Sequence, residues 1–217
     1  MSEQGIKHHL TDELLMGYAA GTLPEAFNLV VATHVSLCDE CRARLMEFEA
    51  VGGAVLDDAA EVELSEGALE ATLKLISSRA KDPIKTVWAQ TGVFPKPLQD
   101  YVGGDLSAVT WRRMGGGVKQ AVLPTSKDAS VRLLFIPAGA EMPDHGHAGT
   151  ELTLVLQGAF LDDGDRFARG DIEVANQELE HTPIADIGED CICLTATDAP
   201  LRFSGVVPRL AQKIFRI

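Results

Sequence analysis

Apolar positions recur at helical spacing through the first third of the chain and then alternate over short stretches. Thr11 is placed to cap a first helix, with Asp12 and Glu13 in its opening turn, where carboxylates suit the dipole. Leu14, Leu15, Tyr18 and Ala19 make its apolar face, and Gly21 is a credible stop. Pro24 suits the first position of a second helix, which carries Phe27, Val30 and Val31 towards His34. A third helix is predicted from Asp39 to Val51, ended by Gly52-Gly53. A fourth begins near Ser65, with Leu69, Leu73 and Ile76 at helical spacing.

Residues 81–105 carry Pro83, Pro95, Pro97 and Gly103-Gly104 with little periodicity, and read as a linker. From about Val109 the pattern changes to short β segments between turn residues. They include Val131–Ile136, Leu152–Leu156, Ala159–Leu161, Asp171–Val174, Cys191–Thr195 and Leu201–Phe203. Asp163-Gly164 is a hairpin signal, and Pro137-Ala138-Gly139 is a turn. The expected organisation is an all-α bundle over 1–80, a linker over 81–104, and an all-β barrel or sandwich over 105–205 with a short tail.

A hydrophobic fraction of 46% and a charged fraction of 24% suit a chain that buries a core. No apolar run has the length of a membrane span, and the first residues lack a charged-then-apolar leader, so the expected location is the cytoplasm. There, four cysteines point to metal ligands or redox thiols rather than a disulfide framework. The net charge of −13 is uneven: residues 1–70 hold fourteen acids against three bases, hence −11. Such a segment repels phosphate backbones and attracts basic proteins, which argues against direct nucleic-acid binding.

His34, Cys38 and Cys41 form an H-x3-C-x2-C string. On a continuous helix they fall at roughly 0°, 40° and 340°, on one side. Two thiolates and an imidazole favour zinc, whose fourth ligand is offered by His8 or His9. With all four positions filled by protein, the site would be structural. The segment resembles the zinc-binding anti-sigma factor family, in which an upstream His precedes H-x3-C-x2-C. The likeness extends through His8-His-Leu-Thr-Asp-Glu-Leu-Leu and Tyr18-Ala-Ala-Gly-Thr-Leu-Pro-Glu-Ala-Phe. That resemblance implies His9 as the fourth ligand of a structural Zn2+.

Gly139-x5-His145-x-His147-x3-Glu151-x6-Gly158 matches the first cupin motif in every fixed position. Residues two apart on a strand share a face, so His145 and His147 point the same way. The second cupin motif is relaxed: its proline is missing, and no histidine follows Gly170 at the motif's distance. His181, in Glu180-His181-Thr182-Pro183, is the later histidine, and no motif asparagine follows it. A zinc anti-sigma segment followed by a cupin resembles the ChrR-type anti-sigma factors. The likeness implies His181 as fourth ligand of a second divalent metal, expected to be zinc. Cys191 and Cys193, two apart in a strand, have a bland reading as small core residues. The resemblance favours a redox-sensing pair, which requires exposure or a lowered pKa. Trp88, Trp111, Met114 and Met142 read as core or linker residues.

The resemblance implies a one-to-one partner, an extracytoplasmic-function sigma factor of the sigma E type. It is held by the helical domain and released on oxidative stress such as singlet oxygen. The acidic first segment suits a basic partner independently. The competing class is a cupin metalloenzyme, an oxygenase or isomerase, with a regulatory zinc domain. The relaxed second motif and the lack of an acid/base residue beyond Glu151 weigh against it. A DNA-binding zinc module is disfavoured by the acidic charge.

Overall fold

A computed structural model describes residues 5–78, 92–177 and 180–203 of the chain. Its first helices are α1 (Asp12–Ala19), α2 (Glu25–Val35) and α3 (Asp39–Asp57). Thr11 caps α1 as expected, its hydroxyl oxygen accepting the Leu14 N–H at 3.4 Å. Pro24 takes the N-cap of α2 rather than its first turn. The helix does not run continuously from His34 to Cys41. Ser36 and Leu37 break it, leaving His34 in the last turn of α2 and Cys38 as the N-cap of α3.

The expected stop at Gly52-Gly53 is not observed, because neither glycine takes a positive φ. The helix continues until the Asp58 N–H bonds the Ala54 carbonyl at 3.1 Å. Two helical glycines cost about 2 kcal/mol relative to alanine, but only a left-handed one ends a helix. The next helix, α4 (Ala68–Ser78), starts at Ala68 rather than Ser65 and buries none of its residues.

Residues 81–91 of the expected linker, with Trp88, lie outside the described residues, as does the tail after Phe203. The remainder of that stretch contains a two-turn helix, α5 (Lys96–Val102), too short and too proline-framed to show a period. Phe94 and Leu98 are buried there, and α5 packs on α2. Asp105 anchors the entry by accepting the Val93 and Phe94 N–H groups, each at 3.0 Å.

Twelve strands follow among the described residues. Six of them are β1 (Arg112–Gly115), β2 (Val118–Leu123), β3 (Ser130–Ile136), β4 (His145–His147), β5 (Glu151–Gln157) and β6 (Ala159–Asp162). The others are β7 (Asp165–Ala168), β8 (Ile172–Ala175), β9 (Glu180–His181), β10 (Ile184–Ala185), β11 (Cys191–Thr197) and β12 (Leu201–Phe203). They form a six-stranded sheet, β1-β2-β3-β11-β5-β8, and two three-stranded sheets, β10-β6-β7 and β12-β4-β9. The cupin wall is thus hydrogen-bonded as three sheets rather than one closed ring. Asp163-Gly164 makes the turn between β6 and β7, as its sequence indicates. Gly158, with φ +67°, turns the chain from β5 into β6, where a Cβ would lie 2.7 Å from the Asp190 carbonyl.

All seven residues of β11 are buried, because both faces of that strand are covered. Helix α2 packs on β11, β5 and β3, and Ile192, Leu194 and Ala196 join one core with Phe27, Val30 and Val31. Cys193, Thr195 and Thr197 point the other way and line a cavity of about 120 Å³ inside the cupin. The helical and β parts therefore share one core across the outer face of the large sheet.

Candidate metal centres

The first centre lies where α2 ends and α3 begins. The donor atoms of His9, His34, Cys38 and Cys41 all lie within 4.8 Å of one another. His9 Nδ1 is 3.3 Å from Cys38 Sγ and 3.7 Å from Cys41 Sγ. Its other ring nitrogen is 3.3 Å from a Glu40 carboxylate oxygen. A proton donated to Glu40 leaves Nδ1 bare and facing the sulfurs, the arrangement a metal-bound imidazole needs. His8 faces the opposite way: its ring packs on Phe167, with centroids 4.1 Å apart.

The donor set fits a soft divalent cation. Neither ring nitrogen of His34 has a hydrogen bond of good geometry, although the side chain is fully buried. Burial lowers its pKa to about 4, with the Gly170 backbone only partly opposing, so it is a neutral imidazole at pH 7. Burial and the Cys38 sulfur together push the Cys41 thiol up to about 11. Two close sulfurs and an orphaned imidazole are unfavourable as they stand and favourable around zinc. Glu40, the outer partner of His9, had no signal in the sequence beyond its place beside Cys41.

The second centre sits inside the cupin. β4 presents His145 and His147, and β9, paired with β4, brings His181 opposite His145. His181 Nε2 lies 3.0 Å from His147 Nε2 and 3.2 Å from His145 Nε2. Outer partners set two of the tautomers. His145 Nδ1 is 2.8 Å from the Pro143 carbonyl and His181 Nδ1 is 2.7 Å from Asp162 Oδ2, so both Nδ1 atoms carry the proton. Their Nε2 lone pairs then face each other with no hydrogen between them, a geometry that suits a shared cation. Burial, followed by the neighbouring histidines, lowers the pKa of His147 to about 4, and burial lowers that of His145.

Glu151 lies beside this trio rather than within it, its carboxylate 4.0 Å from His147 Nδ1. Burial raises its pKa to about 7, with Arg132 pulling the other way. Two carboxylates that the motif reading did not single out approach His181 instead: Asp162 at 2.7 Å and Glu173 at 3.9 Å. Burial and then the Asp162 carboxyl push Glu173 up to about 9, as expected of a pair that shares one proton. Their positions, on β6 and β8, become close only after the sheets fold over each other.

The cavity beside the trio has an apolar wall that includes Met114, Met142 and Phe160. Trp111, half-buried outside it, meets Phe135 edge-on at 6.1 Å. Cys191 and Cys193 are both buried, with their sulfurs 3.5 Å apart. Cys193 has its pKa raised well above the ordinary thiol value, first by its contact with Cys191 and then by burial. Neither thiol is exposed, and the surroundings of Cys193 do not favour a thiolate.

A family model for the ChrR cupin-like domain matches residues 99–200. Over 212 residues, 98% of this chain and 99% of the relative, the sequence is 58% identical to the anti-sigma-E factor ChrR of Cereibacter sphaeroides. The crystal structure of Rhodobacter sphaeroides SigE in complex with the anti-sigma ChrR is similar at a TM-score of 0.79 and 58% identity. That match covers 89% of this chain and 99% of the other.

Proposed function

Because the chain belongs to the family of the anti-sigma-E factor ChrR, we propose that it binds an extracytoplasmic-function sigma factor of the sigma E type. Binding is one to one and keeps the sigma factor from transcription. The observation that carries this reading is the uncovered apolar surface of the second half of α3 and of α4. Val55, Leu56, Leu69, Leu73, Leu75 and Ile76 are each more than half exposed on a segment rich in carboxylates. Exposed apolar side chains in this number, with Leu69, Leu73 and Ile76 on one face of α4, mark a protein-binding surface, and the acidic surround selects a basic partner.

In this reading His9, His34, Cys38 and Cys41 hold a structural zinc. When bound, it ties together the segment before α1, the end of α2 and the start of α3. His145, His147 and His181, with Glu151 beside them, hold a second divalent metal, zinc by the same reading, in a sensory rather than catalytic cupin. The signal we assign is an oxidant, singlet oxygen foremost. The burial of Cys191 and Cys193 supports the histidine centre, rather than the thiols, as the place where it is sensed. No described helix is long and apolar enough to cross a membrane, in keeping with our assignment to the cytoplasm. The division into a zinc anti-sigma part over 1–80, a linker over 81–104 and a cupin over 105–205 belongs to the same proposal.

The test is co-purification with a tagged sigma factor of this class, together with run-off transcription from its promoter. A one-to-one complex that blocks transcription is expected, and it should be lost on replacing Leu69 and Leu73 by Asp. Free transcription in the presence of the wild-type chain, with turnover of a small molecule at the cupin, would move the assignment to a metalloenzyme.

A further inference from the structure

The peptide that carries His9 is fastened to the cupin by one buried carboxylate. Asp171 Oδ1 accepts the Lys7 and His8 backbone N–H groups at 2.6 and 3.0 Å, and its Oδ2 accepts the Ala168 N–H at 2.8 Å. The Ile172 N–H returns a bond to the His8 carbonyl at 3.3 Å. Ile6 packs over Gly170, whose φ is +90°, and a Cβ there would come within 2.6 Å of the Ile6 side chain. Residues 5–11 have no helical or strand bonding of their own. The position of His9 is therefore set by what holds its neighbours, and Asp171 holds two of them.

The same turn is joined to the cupin centre from both sides. Ahead of it, the His8 ring packs on Phe167, and Phe167 stacks on Phe160 at 4.8 Å and 11°. Phe160 lines the cavity, and two residues on, Asp162 contacts His181 Nδ1. Behind the turn, Glu173 stands two residues after Asp171 and faces the same nitrogen. His181 thus contacts β8, which leaves the piece of chain gripping His8, and β6, which is paired with the β7 that leads into it. Packed aromatics and a paired strand pass a displacement on rather than absorbing it.

We propose that Asp171 is a positioning residue for the helical metal centre, a latch through which the state of the His145–His147–His181 centre alters how tightly His9, His34, Cys38 and Cys41 hold a metal. The inference rests on reading both clusters as metal centres and gives the proposed release of the partner a physical route. Coupling of this kind is reciprocal and falls typically at 5–150-fold in affinity. Non-additivity between substitutions at its two ends is the signature of such a path.

The test is a cobalt(II) titration of the full-length chain, following the near-ultraviolet sulfur-to-metal band. Only the centre with Cys38 and Cys41 has sulfur ligands, so the band reports that centre alone. Four forms are compared: wild type, Asp171→Ala, His145→Ala/His147→Ala, and the combination. The Asp171 change is expected to weaken cobalt binding by about 5-fold or more, the lower end of coupling between sites. The cupin double change should shift affinity by about 5-fold or more in the wild-type background and not at all once Asp171 is gone. Equal shifts in both backgrounds, or an unchanged affinity in Asp171→Ala, would overturn the latch. If Asp171→Ala does not fold, Asp171→Asn serves in its place. It keeps one accepting oxygen but turns an amide towards the Ala168 N–H, and the same two outcomes decide. The titration needs no sigma factor. A missing cobalt–thiolate band in the wild type sinks the metal reading and the latch with it, whereas a normal band with additive changes sinks the latch alone.

Discussion

His147 and His181 point their Nε2 atoms at each other across 3.0 Å, although 34 positions separate them in the chain. With His145 Nε2 at 3.2 Å from the same nitrogen of His181, three imidazole nitrogens converge on one point. Burial holds at least His145 and His147 neutral there, which is the form a metal accepts.

Replacing Cys38 by Ser separates two roles of that side chain. It caps α3 by accepting the Cys41 N–H at 3.4 Å, a task serine performs as well, and it supplies a sulfur to the first centre. The variant should keep its helices yet lose well over 100-fold in zinc affinity, since even outer-shell losses reach that size. Elemental analysis should find one metal fewer per chain, and sigma capture should fall with it.

Removing His145 and His147 together should cost one metal equivalent and leave sigma capture intact. The apolar face on α3 and α4 contains no residue of the cupin centre. A binding titration of sigma against the variant measures this. Release under photosensitiser light is expected to vanish.

Leu69→Asp/Leu73→Asp should leave the melting midpoint within about 2 °C of wild type. Both side chains are exposed, at 64% and 53%, and exposed substitutions seldom exceed about 0.5 kcal/mol. Affinity for the sigma factor should nevertheless drop at least 10-fold. Leu194→Ala, at the fully buried junction of β11 and α2, should show the reverse, losing roughly 2–5 kcal/mol of stability.

Acid should destabilise the metal-free chain through His34. Its pKa is about 6.5 when unfolded and about 4 when folded, so the unfolded chain takes up the proton first. The stability linked to it is complete above pH 6.5 and is lost as pH falls towards 4. It amounts to about 3 kcal/mol if the shift is fully expressed. Because His147, Glu151 and Glu173 also titrate with shifted pKa values, thermal melts in chelator between pH 7.5 and 4.5 should be compared with His34→Gln, and the wild type should lose more of its melting temperature over that window than the variant. Parallel profiles would show His34 to be solvated rather than buried.

Cys191 and Cys193 should resist alkylation in the native protein and react once denatured. They are buried, and Cys193 is held as a thiol by its neighbour and its surroundings. Mass spectrometry after timed exposure to iodoacetamide reads this directly, and prompt native labelling would restore them as candidate sensors.

Much of the molecule was legible in the sequence wherever the cause is local. Thr11 as a cap, the strand cores from Val131 to Phe203 and the two ligand strings each depend on neighbours within a few residues. A spacing rule captures such neighbours because backbone geometry fixes them. The H-x3-C-x2-C string was read on one continuous helix, yet its residues meet across the α2–α3 break, because the turn brings the same atoms to one side.

Tertiary structure alone decided the rest. Spacing leaves His8 and His9 equivalent; Asp171 and Phe167 draw His8 to the cupin, so that His9 turns to the sulfurs. Asp162 and Glu173 meet at His181 only because β6, β8 and β9 come together, and no local pattern encodes that meeting. The apolar spacing of Leu69, Leu73 and Ile76 is the same whether a helix packs inward or waits for a partner, and only the fold leaves α4 uncovered. Periodicity records which side chains share a face; which faces are covered depends on contacts between distant segments, where burial and the withdrawal of water take place.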